Sequence, residues 1–196
     1  MRTLEEIIAD IRQLEQELLQ ELQKKQAEYC YIIEGKRIEF EAETRRYHKT
    51  LAKTLGRYFA EAQLLHILTA PVIYLCLLPA LFMDLVVTIY QAICFRAYGI
   101  PRVDRDEHII IDRHSLQYLN PLEKLNCLYC SYFIGLLAYI QEIAARTEQY
   151  WCPIKHARKL ASIHSRYHKF LEYGDSAAYQ DRLEEVRREF TDLQNS

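Results

Sequence analysis

The chain has 196 residues, enough for one domain of ordinary size or a small membrane domain with helical arms and too few for a large multi-domain enzyme. Five glycines and five prolines leave long stretches without a backbone breaker, which favours an all-helical fold. The net charge of −2 and a half-hydrophobic composition are ordinary, but the apolar residues are concentrated in one place.

The N-terminus, MRTLEEIIADIRQLEQ, is acidic and lacks the apolar core of a cleaved export signal, so the chain is expected to begin in the cytosol. Six cysteines are then expected to be thiols or metal ligands, because the cytosol keeps disulfides reduced. Residues 1–62 read as an N-terminal helical arm. They place Leu4, Ile7, Ile11, Leu14, Leu18, Leu22, Tyr29, Ile33, Phe40, Tyr47 and Leu51 on a slowly drifting stripe, predicting a long amphipathic helix. The early three-four spacing suits a coiled coil, which Lys25, Lys36 and Gly35 then interrupt. Such an arm would either self-associate or pack on the rest of the chain.

Charge changes sign along the arm. Residues 2–43 carry eleven acids and six bases, whereas 44–60 carry Arg45, Arg46, Lys49, Lys53 and Arg57 with no acid. Basic residues with Tyr47, Tyr58 and Phe59 among them suit an anionic lipid surface just ahead of an apolar stretch.

Residues 63–97 form the expected membrane segment, reading LLHILTAPVIYLCLLPALFMDLVVTIYQAICF from Leu64 to Phe95. As one straight helix this run would be roughly 48 Å long against a hydrocarbon core of about 30 Å. Splitting it at Pro79 leaves arms of roughly 22 and 24 Å, each too short to cross alone. The pattern favours a re-entrant hairpin over one kinked, tilted span, and both over the core helix of a soluble bundle. Two ionisable residues lie in the run. Asp84 reads equally as a functional carboxylate or as a polar contact between helices, whereas His66 sits near the headgroup boundary.

Residues 98–120 form a polar loop, with Ile109–Ile111 a candidate short strand. Its Asp106, Glu107, His108, Asp112 and His114 could serve acid-base or metal chemistry, although such loops are mostly solvated. Asn120-Pro-Leu-Glu123 is a helix-start signal, predicting a helix from Pro121 to about Tyr150. Its apolar middle, Leu125 to Ile140, is shorter than a span and should pack on the membrane segment or lie at the interface. Pro153 predicts a second helix, to about Tyr173, so that 121–173 would be a helical pair. Its basic face suits either solvent or anionic lipid. Residues 174–196 should hold a last amphipathic helix, with Tyr179, Leu183, Val186, Phe190 and Leu193 on one stripe.

The best candidate for chemistry is Cys127, Cys130, Cys152 and His156, a ligand set that suits tetrahedral zinc. Cys127 and Cys130 share a helical face at i, i+3, and Cys152 and His156 would do so at i, i+4. An unbroken helix would separate Cys130 from Cys152 by roughly 33 Å of rise. The site then requires a break near Gly135 or two antiparallel chains; otherwise these are simply buried cysteines. Glu142 and Arg146 read as a stabilising i, i+4 pair, and Glu148 as a weaker candidate acid near Cys152.

The stretch LNCLYCSYFIGLLAYIQEIAARTEQYWCPIKHA, residues 125–157, resembles a family of bacterial inner-membrane proteins to which no activity attaches. The resemblance covers about the middle half of the chain, leaves the arms unmatched and implies a membrane protein in a bacterial inner membrane; the arms are expected to be cytoplasmic from the acidic N-terminus. The length of the arms, and the lack of a catalytic constellation that closes within one chain, favour a membrane-embedded structural or interaction protein in a bilayer with an anionic leaflet, self-associating or recruiting partners, with a Cys/His zinc site at the bilayer surface. The alternative is a membrane enzyme acting on a lipid-soluble substrate. No nucleic-acid partner is expected from an acidic chain.

Overall fold

The computed structural model describes residues 4–193. They are mostly helical, and they fall into two compact units: one of the residues up to Ala62 with Asp112–Cys127, the other of Gln63–Ile111 with the residues from Leu128 onward.

In the first unit the expected continuous arm is broken. Helix α1 (Leu4–Glu28) stops and Cys30 takes a positive φ of 52°. Strands β1 (Tyr31–Glu34) and β2 (Arg37–Phe40) then pair antiparallel, with Tyr31 opposite Phe40 and Glu34 opposite Arg37. The reason is local. Gly35, at φ 59°, supplies the left-handed residue of a two-residue hairpin loop, and Tyr31, Ile33, Ile38 and Phe40 alternate with period two on either side of it. Phe40 meets His48 of α2 (Ala42–Leu51) at a ring distance of 5.1 Å, and His48 in turn meets Tyr118 at 5.1 Å. Helix α3 (Leu55–Glu61) follows a Thr54 cap. On α1 the residues Ile11, Leu14, Leu18 and Leu22 are all about half exposed or more, while the side chains of Leu4 and Ile7 in the same stripe lie outside the described residues.

The apolar run does not turn back at Pro79. Helix α4 (Leu64–Leu75) joins α5 (Leu77–Tyr90) through Cys76, which keeps right-handed helical angles (φ −61°, ψ −16°). Pro79 has no N–H to offer the Leu75 carbonyl, so the ladder breaks one turn before it and the helix kinks without reversing. Tyr129 donates its hydroxyl to the nearby Ile73 carbonyl at 2.9 Å. A π-turn (Gln91–Phe95) and a last helical turn, α6 (Arg96–Tyr98), complete a run of 35 helical residues, closed at Gly99 by a bond from Ile100 N–H to the Phe95 carbonyl at 2.9 Å.

Helix α7 (Pro121–Trp151) is a single unbroken element of 31 residues. Its start is the predicted capping box: Asn120 Oδ1 accepts from the backbone N–H of Leu122 and Glu123 at 3.0 and 2.9 Å, and Glu123 returns its carboxylate to Asn120 N–H at 2.8 Å. Both α4–α6 and α7 are long and apolar enough to cross a membrane.

Two further expectations are corrected. No helix forms after Pro153: the chain runs irregularly, with Ile154 bridged to Leu171 in parallel and one short 3-10 turn at Tyr167–Lys169. Tertiary bonds override the local helix signal here, because Arg166 is drawn inward to Gln149 (2.6 Å), to Asp192 and to the Glu189 carbonyl (2.8 Å). Ile109–Ile111 likewise forms no strand. Helix α8 (Ser176–Arg188), capped by Asp175, stops short of the expected end, and Phe190 turns into the core with Phe95, Ile100, Val103, Leu136, Tyr139 and Ile143. Residues 194–196 of the predicted C-terminal helix lie outside the described residues.

Candidate functional site

Asp84, Thr88 and Gln91 recur at i, i+4 and i+7, and so share one face of the α5 run. Tyr132, Tyr139 and Arg146 recur at seven on α7. The two series meet at a constant offset: the Tyr132 hydroxyl donates to Asp84 Oδ2 at 2.6 Å, and Gln91 Nε2 donates to the Tyr139 hydroxyl at 3.0 Å. A constant offset of the same sign means that α5 and α7 run parallel.

Parallel neighbours oblige the connecting chain to return along them, and it does so as an irregular segment held by side chains. Arg146 Nη1 donates to the carbonyls of Pro101 and Arg102, both at 2.9 Å, while its Nε holds Glu142 at 2.8 Å. Gln91 accepts the Val103 N–H at 2.7 Å and donates to the Val103 carbonyl at 3.3 Å. Arg105 grips both oxygens of Asp84, the second at 2.6 Å, and lies over the Tyr139 ring at 5.8 Å. His108 places Nδ1 2.9 Å from the Asp104 carbonyl. Gly135 lets the backbone pass: a Cβ there would lie 2.7 Å from the His108 oxygen and 2.8 Å from the Ile109 Cα.

The chemistry of this seam follows from its occupancy. Asp84 is buried and accepts from Arg105 twice, from Tyr132 and, at 3.4 Å, from Thr88. A carboxylate with its lone pairs so engaged is an anchor and has none aimed at a substrate. The hydrogen bonds to Asp84 raise the Arg105 guanidinium above its ordinary value, against the effect of burial, so the pair is ionised at any ordinary pH. Of the two readings of Asp84, the contact between helices is the one that the geometry matches.

The other sequence candidates are dispersed. His66 is exposed near the start of α4, about 27 Å of helical rise from Asp84. Cys127 and Cys130 share a face of α7, but α7 does not break at Gly135, so Cys130 and Cys152 stand roughly 33 Å of rise apart. Cys152 lies just past the helix end and His156 beyond it in irregular chain, its ring stacked on Tyr167, so the i, i+4 relationship is lost. The four residues therefore do not converge within one chain. Among the described residues no group of three or more His, Cys, Asp or Glu is placed to hold a metal. Glu148 lies 3.0 Å from His164 Nε2, and Glu142 also accepts from Ser165 at 2.6 Å. In the polar loop Asp106 and Glu107 are exposed, and Asp112 and His114 belong to the first unit.

Sequence reasoning missed Gln91, Arg105, Tyr132 and Tyr139. The seven-residue spacing of Asp84 with Gln91, and of Tyr132 with Tyr139 and Arg146, was the available signal. Comparison with protein-family models, with characterised proteins and with solved structures finds no match to this chain.

Proposed function

We propose that the protein is a membrane-embedded structural or interaction protein, held in an anionic leaflet by the α4–α6 run and assembling through its N-terminal arm. The observation that carries this reading is the exposure of that run: in its most apolar stretch, of mean hydropathy 2.4, only 6% is buried. Leu64, Leu65, Val72, Ile73 and Leu81 are each 49–72% exposed and together lie on all sides of the helix. A core helix of a soluble fold buries at least one face, and contiguous apolar patches beyond a few hundred Å² mark a partner or a membrane. Each large side chain gains about 1.5 kcal/mol or more on leaving water, so together they partition strongly into hydrocarbon.

The exposed stripe of Ile11, Leu14, Leu18 and Leu22 on α1 supports self-association, since it has the spacing of a short coiled coil and is uncovered. The saturated coordination of Asp84 favours this structural role over catalysis. The test is extraction and crosslinking. The chain should stay with membranes through alkaline carbonate and give a crosslinked dimer that Leu14→Glu with Leu18→Glu abolishes. Release by carbonate would refute the membrane reading, and an undiminished dimer in the double variant would refute the arm as the contact.

A further inference from the structure

We infer that the chain embeds in a single leaflet and does not cross the bilayer, its apolar helices lying along the membrane with the 99–120 segment turned to water. This rests on the membrane reading above and adds to it the side, depth and direction of insertion.

The first ground is topological. Consecutive membrane spans joined by a short loop run antiparallel, whereas here Asp84 meets Tyr132, Gln91 meets Tyr139 and Tyr98 stacks on Tyr150 at 5.2 Å, all in the same order along the two helices. Helix α7 is 31 residues, or about 46 Å, long, and residues 99–120 must retrace it from the Tyr98 end to Pro121. Were the helices a transmembrane pair, this segment would cross the bilayer a third time.

The second ground is chemical. The segment is irregular, and its backbone at His108 and Ile109 touches Gly135, about 22 Å of rise from Tyr150. Along that distance Asp104, Asp106 and Glu107 are exposed. Irregular backbone at membrane depth is tolerated only inside protein or beside water, and exposed carboxylates are costly in hydrocarbon. One side of the helix pair therefore meets water along about half the length of α7. On the sides of α5 and α7 that turn away from each other, Leu85, Ile89, Ile93, Ile134 and Leu137 are 50–65% exposed. A body charged along its returning segment and apolar over the outward faces of its helices lies at the interface with that segment toward water. Arg96 and Arg102, just after the run in the same unit, are exposed bases of the kind an anionic surface attracts.

The chain already carries reporters on both flanks: Cys30 before the apolar run and the exposed Cys152 after α7. Glu107→Cys, at an exposed position, adds one within the returning segment. Sealed membrane vesicles of the two orientations are treated with an impermeant maleimide, and labelled peptides are mapped by mass spectrometry. Reaction at all three positions in one orientation and at none in the other is the expected result. Cys30 and Cys152 labelled from opposite sides, or position 107 labelled from the side opposite both, would overturn the inference in favour of a spanning assembly around a water-filled path. Flotation with phosphatidylcholine and phosphatidylglycerol vesicles separates the two claims. A chain that fails to float overturns the membrane reading itself, and a chain that floats but labels from both sides overturns only the single-leaflet arrangement.

Discussion

Gln91 serves Val103 as a neighbouring strand would: its side-chain amide accepts the Val103 N–H at 2.7 Å and donates to the Val103 carbonyl at 3.3 Å. Both residues are buried, so no water can replace either bond. The π-turn, Gln91–Phe95, begins at this residue.

Replacing Gln91 by alanine leaves two buried backbone groups unpaired, at about 1–3 kcal/mol each. A loss of about 2–6 kcal/mol is expected in thermal unfolding in mild detergent, together with faster proteolysis after Arg102 and Arg105. Val103 is not released if the variant unfolds and is cleaved as the parent is.

Gly135→Ala sets two effects against each other. In an open helix the change would stabilise by about 1 kcal/mol through propensity. Here the new Cβ would sit 2.7 Å from the His108 oxygen and 2.8 Å from the Ile109 Cα, both backbone atoms that cannot rotate aside. Overpacking of this kind costs about 1–3 kcal/mol, so a net destabilisation is expected, with increased hydrogen exchange at 103–110. A more stable variant would show that the segment shifts freely.

The Asp84–Arg105 contact is open to a double-mutant cycle. The Arg105 side chain is 41% exposed, which screens the charge, so a coupling of about 1 kcal/mol is expected and not the several that a dry pair would give. Tyr132→Phe, which removes one donor to Asp84, should cost about 1 kcal/mol in the same assay. Additive single substitutions would mean that the contact contributes nothing to stability.

Acid should weaken the C-terminal packing through Asp192. Partial burial pushes its carboxyl up, but hydrogen bonds from Arg166 and then Lys169 outweigh this and hold it below the ordinary range. A folded-state value below the unfolded one, about 3.9, means stability that is full above that pH and lost as pH falls toward the folded value. The stability difference between the parent and Asp192→Asn should therefore be level above about pH 5 and shrink below about pH 4. A difference independent of pH down to 3 would assign the effect to hydrogen bonding alone.

What was legible in the sequence and what was not divide along one physical line. Signals that act within a turn or two were readable: the capping box at Asn120 and Glu123, the break enforced by Pro79, and the helical character of the apolar run. Signals that depend on a distant partner were not. Pro153 offers a good helix start, yet Arg166 is held by Gln149 and Asp192 and the chain stays irregular. Arg105 carries no local signal of its role, and only the fold puts it on Asp84, 21 residues earlier. The β-hairpin is a different failure: Ile33 and Phe40 fit a drifting helical stripe, but with Tyr31 and Ile38 they also fit a period-two strand pair, and Gly35 decides for the strands. The Cys/His quartet had correct letters and spacing, but α7 carries straight through Gly135 and keeps its two halves at opposite ends.

The parallel order of α5 and α7 also sets a schedule for the ribosome. When Tyr98 is made, none of the α7 residues that will meet this run exists, and Tyr150 follows 52 residues later. At about 5–20 residues per second that is an interval of roughly 3–10 s, in which the most apolar helix of the chain stands without its neighbour. The Pro101 and Arg102 carbonyls stay without Arg146 for much of the same interval. The nascent helix must therefore meet a lipid surface or a holding chaperone first, and close on its own chain only afterwards.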